Sequence, residues 1–171
     1  MRRSILINEN FFVYLPRMEE VFKTTESGKK ISCGIILIDG DGQIFAGHPT
    51  GRSYTNGCYD LLKGCANKDE DDLDCAIREM KEESAFNVKP YRDEIKDLGF
   101  FKYNKEKVLH LFLLRMEKLP SLLHVWCNSY FTDKNGRSYP EMNGYRIVRK
   151  DERSYFFRGI QNALKNIPEI Q

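Results

Sequence analysis

The chain has 171 residues, 41% hydrophobic and 30% charged, which is enough for one domain with a full core and unlike the composition of fibrous or disordered chains. A formal net charge of +2 gives no reason to expect a dedicated nucleic-acid or membrane partner. The five cysteines, Cys33, Cys58, Cys65, Cys75 and Cys127, are odd in number and form no C-x-x-C pair, so reduced thiols in a cytoplasmic protein are expected rather than a disulfide framework or a zinc site.

Met1-Arg2-Arg3-Ser4 leads into a short apolar run broken by Asn8, Glu9 and Asn10, which lacks a signal-peptide core. No run approaches the roughly 18 apolar residues of a membrane span. Ile5 to Ile7 and Phe11 to Leu15 predict a strand or hairpin, and the polar stretch Lys23 to Lys30 a loop, so residues 1–30 read as an extension packed on a domain of residues 31–171. Ile31 to Ile38 is dense in β-branched residues and ends at Asp39-Gly40-Asp41-Gly42, a turn sequence before Gln43 to Ala46; this is a hairpin. Residues 47–58 are rich in breakers and predict a loop, followed by a short strand over Tyr59 to Leu62.

A helix is expected from Asp71 or Asp72, whose carboxylates suit a cap, to about Ser84. Leu98 to Tyr103 and Lys107 to Met116 predict a second hairpin, Leu122 to Phe131 a partly extended stretch, Asp133 to Gly136 a turn and Gly144 to Arg149 a strand. Tyr155, Phe156, Ile160, Leu164 and Ile167 recur at helical spacing and predict a final helix over Ser154 to Ile167. The order of elements suits a single α/β domain with a mixed sheet packed between helices.

The chemistry concentrates in the middle helix. Glu79, Glu82 and Glu83 stand at i, i+3 and i+4, so at about 100° per residue they share one stripe, while Leu73, Ala76, Ile77 and Met80 gather on another. Like charges four apart cost an isolated helix about 0.2 to 0.5 kcal/mol per pair, which a cation would offset. Magnesium takes hard oxygen ligands and is usually held by one or two carboxylates with substrate phosphates and water.

Read in full, the segment is Gly64, five residues, Glu70, seven residues, then Arg78-Glu79-Met80-Lys81-Glu82-Glu83-Ser84-Ala85-Phe86. It resembles the signature of the Nudix hydrolases, Gly-x5-Glu-x7-Arg-Glu-U-x-Glu-Glu-x-Gly-U with U apolar, and departs from it only at Ala85. The resemblance runs from about Ile31 to the C-terminus and implies a Nudix-like fold, with hydrolysis of a nucleoside diphosphate linked to another group. It implies Mg2+, with Mn2+ as a substitute, held by Glu79, Glu82, Glu83 and the Gly64 carbonyl. Glu79 or Glu82 would be the base, and Arg78 with Glu70 an orienting ion pair. Family members often have proline where this chain has Leu62, and the glycine replaced by Ala85 leaves the helix end without its usual residue for a left-handed cap.

On the substrate side the candidates are Lys63 as a phosphate contact, Arg52, Tyr54 and His48 in the preceding loop, and Glu141, which resembles the extra carboxylate that many family members bring from a late loop. Tyr130, Phe131 and Tyr139 offer faces for a nucleobase, although aromatic residues near strand ends more often belong to a core. His110 lies in an apolar strand and reads as an interior or edge histidine.

Small nucleotides are the expected partners, and the context of Lys63-Gly64 and Asp71-Asp72-Leu73 leans toward dinucleoside polyphosphates. The nearest alternative is an ADP-ribose or NADH-type pyrophosphatase. An RNA 5′ end is disfavoured by the lack of a basic stripe. A non-catalytic nucleotide sensor with the same fold would have no use for the complete set of glutamates.

Overall fold

The computed structural model describes residues 22–171 except Asn56, together with two short N-terminal strands, β1 (Ile5–Leu6) and β2 (Phe12–Val13), which pair antiparallel. Ile7, Phe11, Tyr14 and Leu15, expected to extend that pair, lie outside the described residues. The main sheet contains β3 (Lys30–Ile38), β4 (Ile44–Pro49), β5 (Lys63–Cys65), β6 (Lys96–Lys102), β7 (Lys107–Arg115) and β10 (Met142–Val148). Its order is β10-β4-β3-β7-β6, with β5 added to the first half of β3; β3 and β7 run parallel and the remaining pairs antiparallel. A separate ribbon joins β8 (Tyr130–Thr132) to β9 (Ser138–Pro140).

The parallel pair at the centre needs a crossover, and α1 (Asp72–Ser84) lies on that path. Buried on both faces, β3 reads as a continuous apolar run. Cys33, Ile35 and Leu37 pack with Cys75, Ala76, Ile77 and Met80 of α1. Ile36 and Ile38 face the other way, toward Ile160, Ala163 and Leu164 of α2 (Arg158–Lys165). One mixed sheet between two helices is the predicted architecture.

Three elements differ from the sequence expectation. Tyr59 and Asp60 make only single bridges, to Phe156 and Gly47, and regular pairing begins at β5, opposite Gly34 of β3. A side chain at Gly34 would meet the Lys63 Cβ at 2.7 Å, so close pairing is possible where β3 carries glycine. The final helix is shorter than predicted because the amides of Gly57 and Tyr59 bond the carbonyls of Ser154 and Tyr155, and the Phe157 amide bonds the carbonyl of Tyr59. That backbone is committed to pairing, and Phe156 is buried from an extended segment rather than from a helix. Within Leu122 to Phe131 only the last two residues are in a strand, since the amides of Trp126, Asn128 and Ser129 turn to the end of α1.

Candidate active site

Asp71 starts α1 by accepting the amides of Leu73 and Asp74 at 3.0 and 3.2 Å, and Asp72 and Asp74 place negative charge in the first turn, where the helix dipole favours it. At the other end Ala85 adopts the left-handed conformation, φ 59°. Its amide bonds the Lys81 carbonyl at 2.8 Å, and three further carbonyls receive donors from distant segments. The Glu82 carbonyl accepts Asn128 and Ser129 at 2.6 and 3.1 Å, that of Ser84 accepts Trp126 at 3.2 Å, and that of Glu83 accepts the Tyr145 hydroxyl. The helix end is therefore tied to the sheet and to the loop before β8, which offsets the cost of alanine at a glycine position.

Arg78 organises the motif. Its Nε and Nη2 grip Glu70 at 2.8 and 3.0 Å, and its Nη1 bridges Glu79 at 2.6 Å and Glu82 at 3.0 Å. The hydrogen bonds from Arg78 hold the Glu70 carboxyl below its ordinary range. Glu79 and Glu83 behave in the opposite sense. Burial raises the Glu79 carboxyl despite Arg78, with Glu82 and Glu141 adding to the rise. Burial raises Glu83 further, against the opposing Lys63 charge and an amide hydrogen bond of 2.7 Å from Lys63, while Glu79 and Glu141 add repulsion. At both, burial outweighs the partial compensation that Arg78 and Lys63 give the ionised form.

Gly64 sits against this group. A Cβ there would fall inside the Glu79 carboxylate, so a side chain at this position excludes Glu79 from its place. The Gly64 carbonyl accepts the Cys75 thiol at 3.6 Å. In this conformation no three Asp, Glu, His or Cys side chains among the described residues converge as a ready ligand set, and Arg78 instead spans Glu79 and Glu82. The donors nevertheless suit a hard divalent cation: they are carboxylate oxygens, two of them buried, crowded and raised in pKa.

The substrate-side candidates divide. Glu141, between β9 and β10, is near enough to raise both Glu79 and Glu83. Lys63 is not a free cation: its ammonium pairs with Asp60 at 2.8 Å under the Tyr103 ring. Asp60 and Tyr103 keep that ammonium above its ordinary pKa although burial opposes this. His48 lies in β4, not in a loop, alternating with Ile44 and Ala46 on the α2 face. It hydrogen-bonds Asn143 at 2.6 Å and stacks on Tyr54 at 3.7 Å, while Arg52 lies over Phe157. Among the described residues, none of these three bonds to the motif carboxylates.

Sequence reasoning missed the assembly at the start of α1. His110 lies between Asp72 at 2.6 Å and Asp97 at 2.9 Å, and Lys23 pairs with the other Asp72 oxygen. The Asp72 carboxyl is buried, which acts to raise it, but the hydrogen bonds from Lys23 and His110 bring it below its ordinary value. No local pattern could reveal this, because the partners come from segments 49 and 38 residues away.

The sequence profile of the NUDIX domain matches residues 28–132. An uncharacterised 17.7 kDa protein of the e-segB intergenic region of Enterobacteria phage T4 is 35% identical over 133 residues, covering 74% of this chain and 87% of that protein. Among solved structures, the E. coli dihydroneopterin triphosphate pyrophosphohydrolase matches with a TM-score of 0.58 at 11% identity, over 82% of this chain and 98% of that one. A C. elegans Ap4A hydrolase matches with a TM-score of 0.55 at 12% identity, over 78% and 92%. At these identities the structural matches speak to the fold alone. Together with the profile match over more than half of the chain, and with Gly64, Glu70, Arg78, Glu79, Glu82 and Glu83 assembled around one helix, they lead to one conclusion: the chain belongs to the Nudix family of hydrolases.

Proposed function

We propose that the chain is a magnesium-dependent pyrophosphohydrolase that cleaves the diphosphate linkage of a nucleoside diphosphate derivative, with dinucleoside polyphosphates first among its substrates and manganese able to replace magnesium. The observation that carries this reading is the pair Glu79 and Glu83, buried on one helix with raised pKa values, with Glu79 fitted against a glycine that leaves it room. A structural helix gains nothing from such a cluster; a helix that holds a cation does. Glu79, Glu82 and Glu83 are the side chains to hold the ion. When bound, it would polarise phosphoryl oxygens and make coordinated water more acidic.

The chain's own groups divide the remaining work. Arg78, anchored by Glu70, positions Glu79 and Glu82. Of the two candidate bases, Glu79 and Glu82, we favour Glu82, whose side chain is 44% exposed and open to water. Glu141 adds a carboxylate from the segment between β9 and β10. Lys63 serves through its amide to Glu83, its ammonium being spent on Asp60.

The test is a substrate panel of dinucleoside polyphosphates, ADP-ribose, NADH and nucleoside triphosphates with magnesium, read by chromatography. Wild type should release a mononucleotide, and Glu82→Gln should lower the rate about 10²- to 10⁴-fold. No product from any member would favour a nucleotide sensor.

A further inference from the structure

Asp60 stands just before the bend that leads into β5. Its amide and carbonyl pair with Gly47 of β4 at 2.9 and 3.0 Å, so its place is set by the main sheet. Its Oδ1 accepts the Leu61 amide at 2.8 Å, and its Oδ2 accepts the Lys63 ammonium at 2.8 Å and the Tyr103 hydroxyl at 3.2 Å. The chain bends at Leu62, and the ion pair from residue 60 to residue 63 closes that bend.

Lys63 reaches both faces of the sheet. Its ammonium lies over the ring of Tyr103, which packs against the core on the α2 side. Gly159 of α2 makes room for that ring, since a Cβ there would meet it at 2.6 Å. The Lys63 amide instead donates to Oε2 of Glu83, on α1, at 2.7 Å. Among the described residues no donor reaches the second Glu83 oxygen.

With side chains 11% and 7% exposed, Lys63 and Asp60 are a buried pair. Two desolvated charges add little net stability over apolar residues of similar volume, so the pair is better explained by what it holds in place. We infer that Asp60 and Lys63 are the positioning pair of Glu83: anchored to β4, they hold the bend at Leu62 so that the Lys63 amide fixes the orientation of that carboxylate. This rests on the proposed metal site and adds which residues outside the glutamate stripe set its affinity. Groups that orient a metal ligand without touching the ion typically contribute about 10- to 100-fold in affinity or activity.

The experiment combines Asp60→Asn with Lys63→Met in the whole chain, because either change alone strands a buried charge. The double variant keeps the residue 63 amide and removes only the clamp. Magnesium binding is measured by calorimetry without substrate, and exchange of the residue 63 amide by NMR in EDTA, relative to the slowest sheet amides, which report global opening. Magnesium affinity should fall about 10- to 100-fold, and the residue 63 amide should exchange at least about tenfold faster as its bond to a carboxylate loosens. Asp72→Asn, which weakens a buried pair at the far end of α1, should bind magnesium as wild type does.

A double variant with wild-type magnesium affinity overturns the inference. So does weaker binding with an unchanged residue 63 amide, since the effect would then bypass Glu83, or an equal loss in Asp72→Asn, which would trace it to general destabilisation. A wild type that binds no magnesium overturns the metal site and this inference with it. If wild type binds magnesium and the double variant loses both affinity and amide protection, yet wild type hydrolyses nothing on the substrate panel, the positioning pair stands and the hydrolase reading falls.

Discussion

The two ends of α1 hold carboxylates in opposite condition. At its start, buried Asp72 meets Lys23 and His110 and is held below its ordinary pKa; toward its end, burial outweighs Arg78 beside Glu79 and the Lys63 charge near Glu83, neighbouring carboxylates add to it, and both are pushed above theirs. The helix and the sheet beneath it are shared. What differs is whether the positive partners outweigh burial, as Lys23 and His110 do at Asp72 and Arg78 and Lys63 do not at Glu79 and Glu83. A balanced buried carboxylate fixes structure, whereas an unbalanced one costs stability in the metal-free protein and is retained for what it can bind.

The largest expected effect comes from removing Arg78, which serves both conditions. Arg78→Ala strands Glu70, Glu79 and Glu82 and should cost about 3 kcal/mol in urea unfolding, at the low end for a broken buried pair because the arginine is partly solvated. Turnover should fall with it. A variant that lost turnover with unchanged stability would make Arg78 a chemical rather than an orienting group. Next is Asp72→Asn, which keeps the shape but leaves Lys23 without its charged partner and His110 with Asp97 alone. About 2 kcal/mol of stability should go, with the rate per folded molecule retained; a large drop in that rate would break the division between the two ends.

The pH dependence of the metal-free protein sharpens the contrast. A carboxyl raised in the folded state stabilises fully below its unfolded value, near 4.5 for Glu83, and that contribution is lost as pH rises through the folded value. Asp72, lowered from 3.8, behaves inversely: its contribution is present above that value and is lost as pH falls through the lower folded one. In EDTA, Glu83→Gln should therefore gain at least about 1 kcal/mol at pH 8 relative to wild type and show little gain at pH 4. An equal gain at both values would place the effect in packing. The smallest change expected is Ala85→Gly, which relieves the left-handed backbone and should add about 1 kcal/mol without altering activity. Loss of stability there would mean that the Ala85 methyl contributes more than its backbone costs.

The helix was legible in the sequence from cap to stripe because its determinants are local: Asp71, the apolar period and the glutamate spacing all lie within one segment. β3 and β7 were legible for the same reason. The closed charge balance at Asp72 was hidden, since Lys23 and His110 approach it only through the fold. So was the fate of Lys63, whose neighbour Asp60 gives no sign in sequence that it will claim the ammonium. The final helix was overextended because Tyr155 and Phe156 fit a helical period, yet their backbone is taken by residues 57–59. Periodicity reports which side chains are buried, and here an extended segment buries Phe156 as well as a helix would have.

The central claim is that the unbalanced end of α1 is balanced by a divalent ion, and thermal unfolding across a magnesium titration tests it most directly. Binding to the native state alone adds about 2.7 kcal/mol at a hundredfold excess over Kd, so the melting temperature of wild type should climb with magnesium. In the Glu79→Gln, Glu82→Gln, Glu83→Gln triple variant it should start higher and stay flat. An equal rise in the triple variant, or no rise in wild type, would contradict the account.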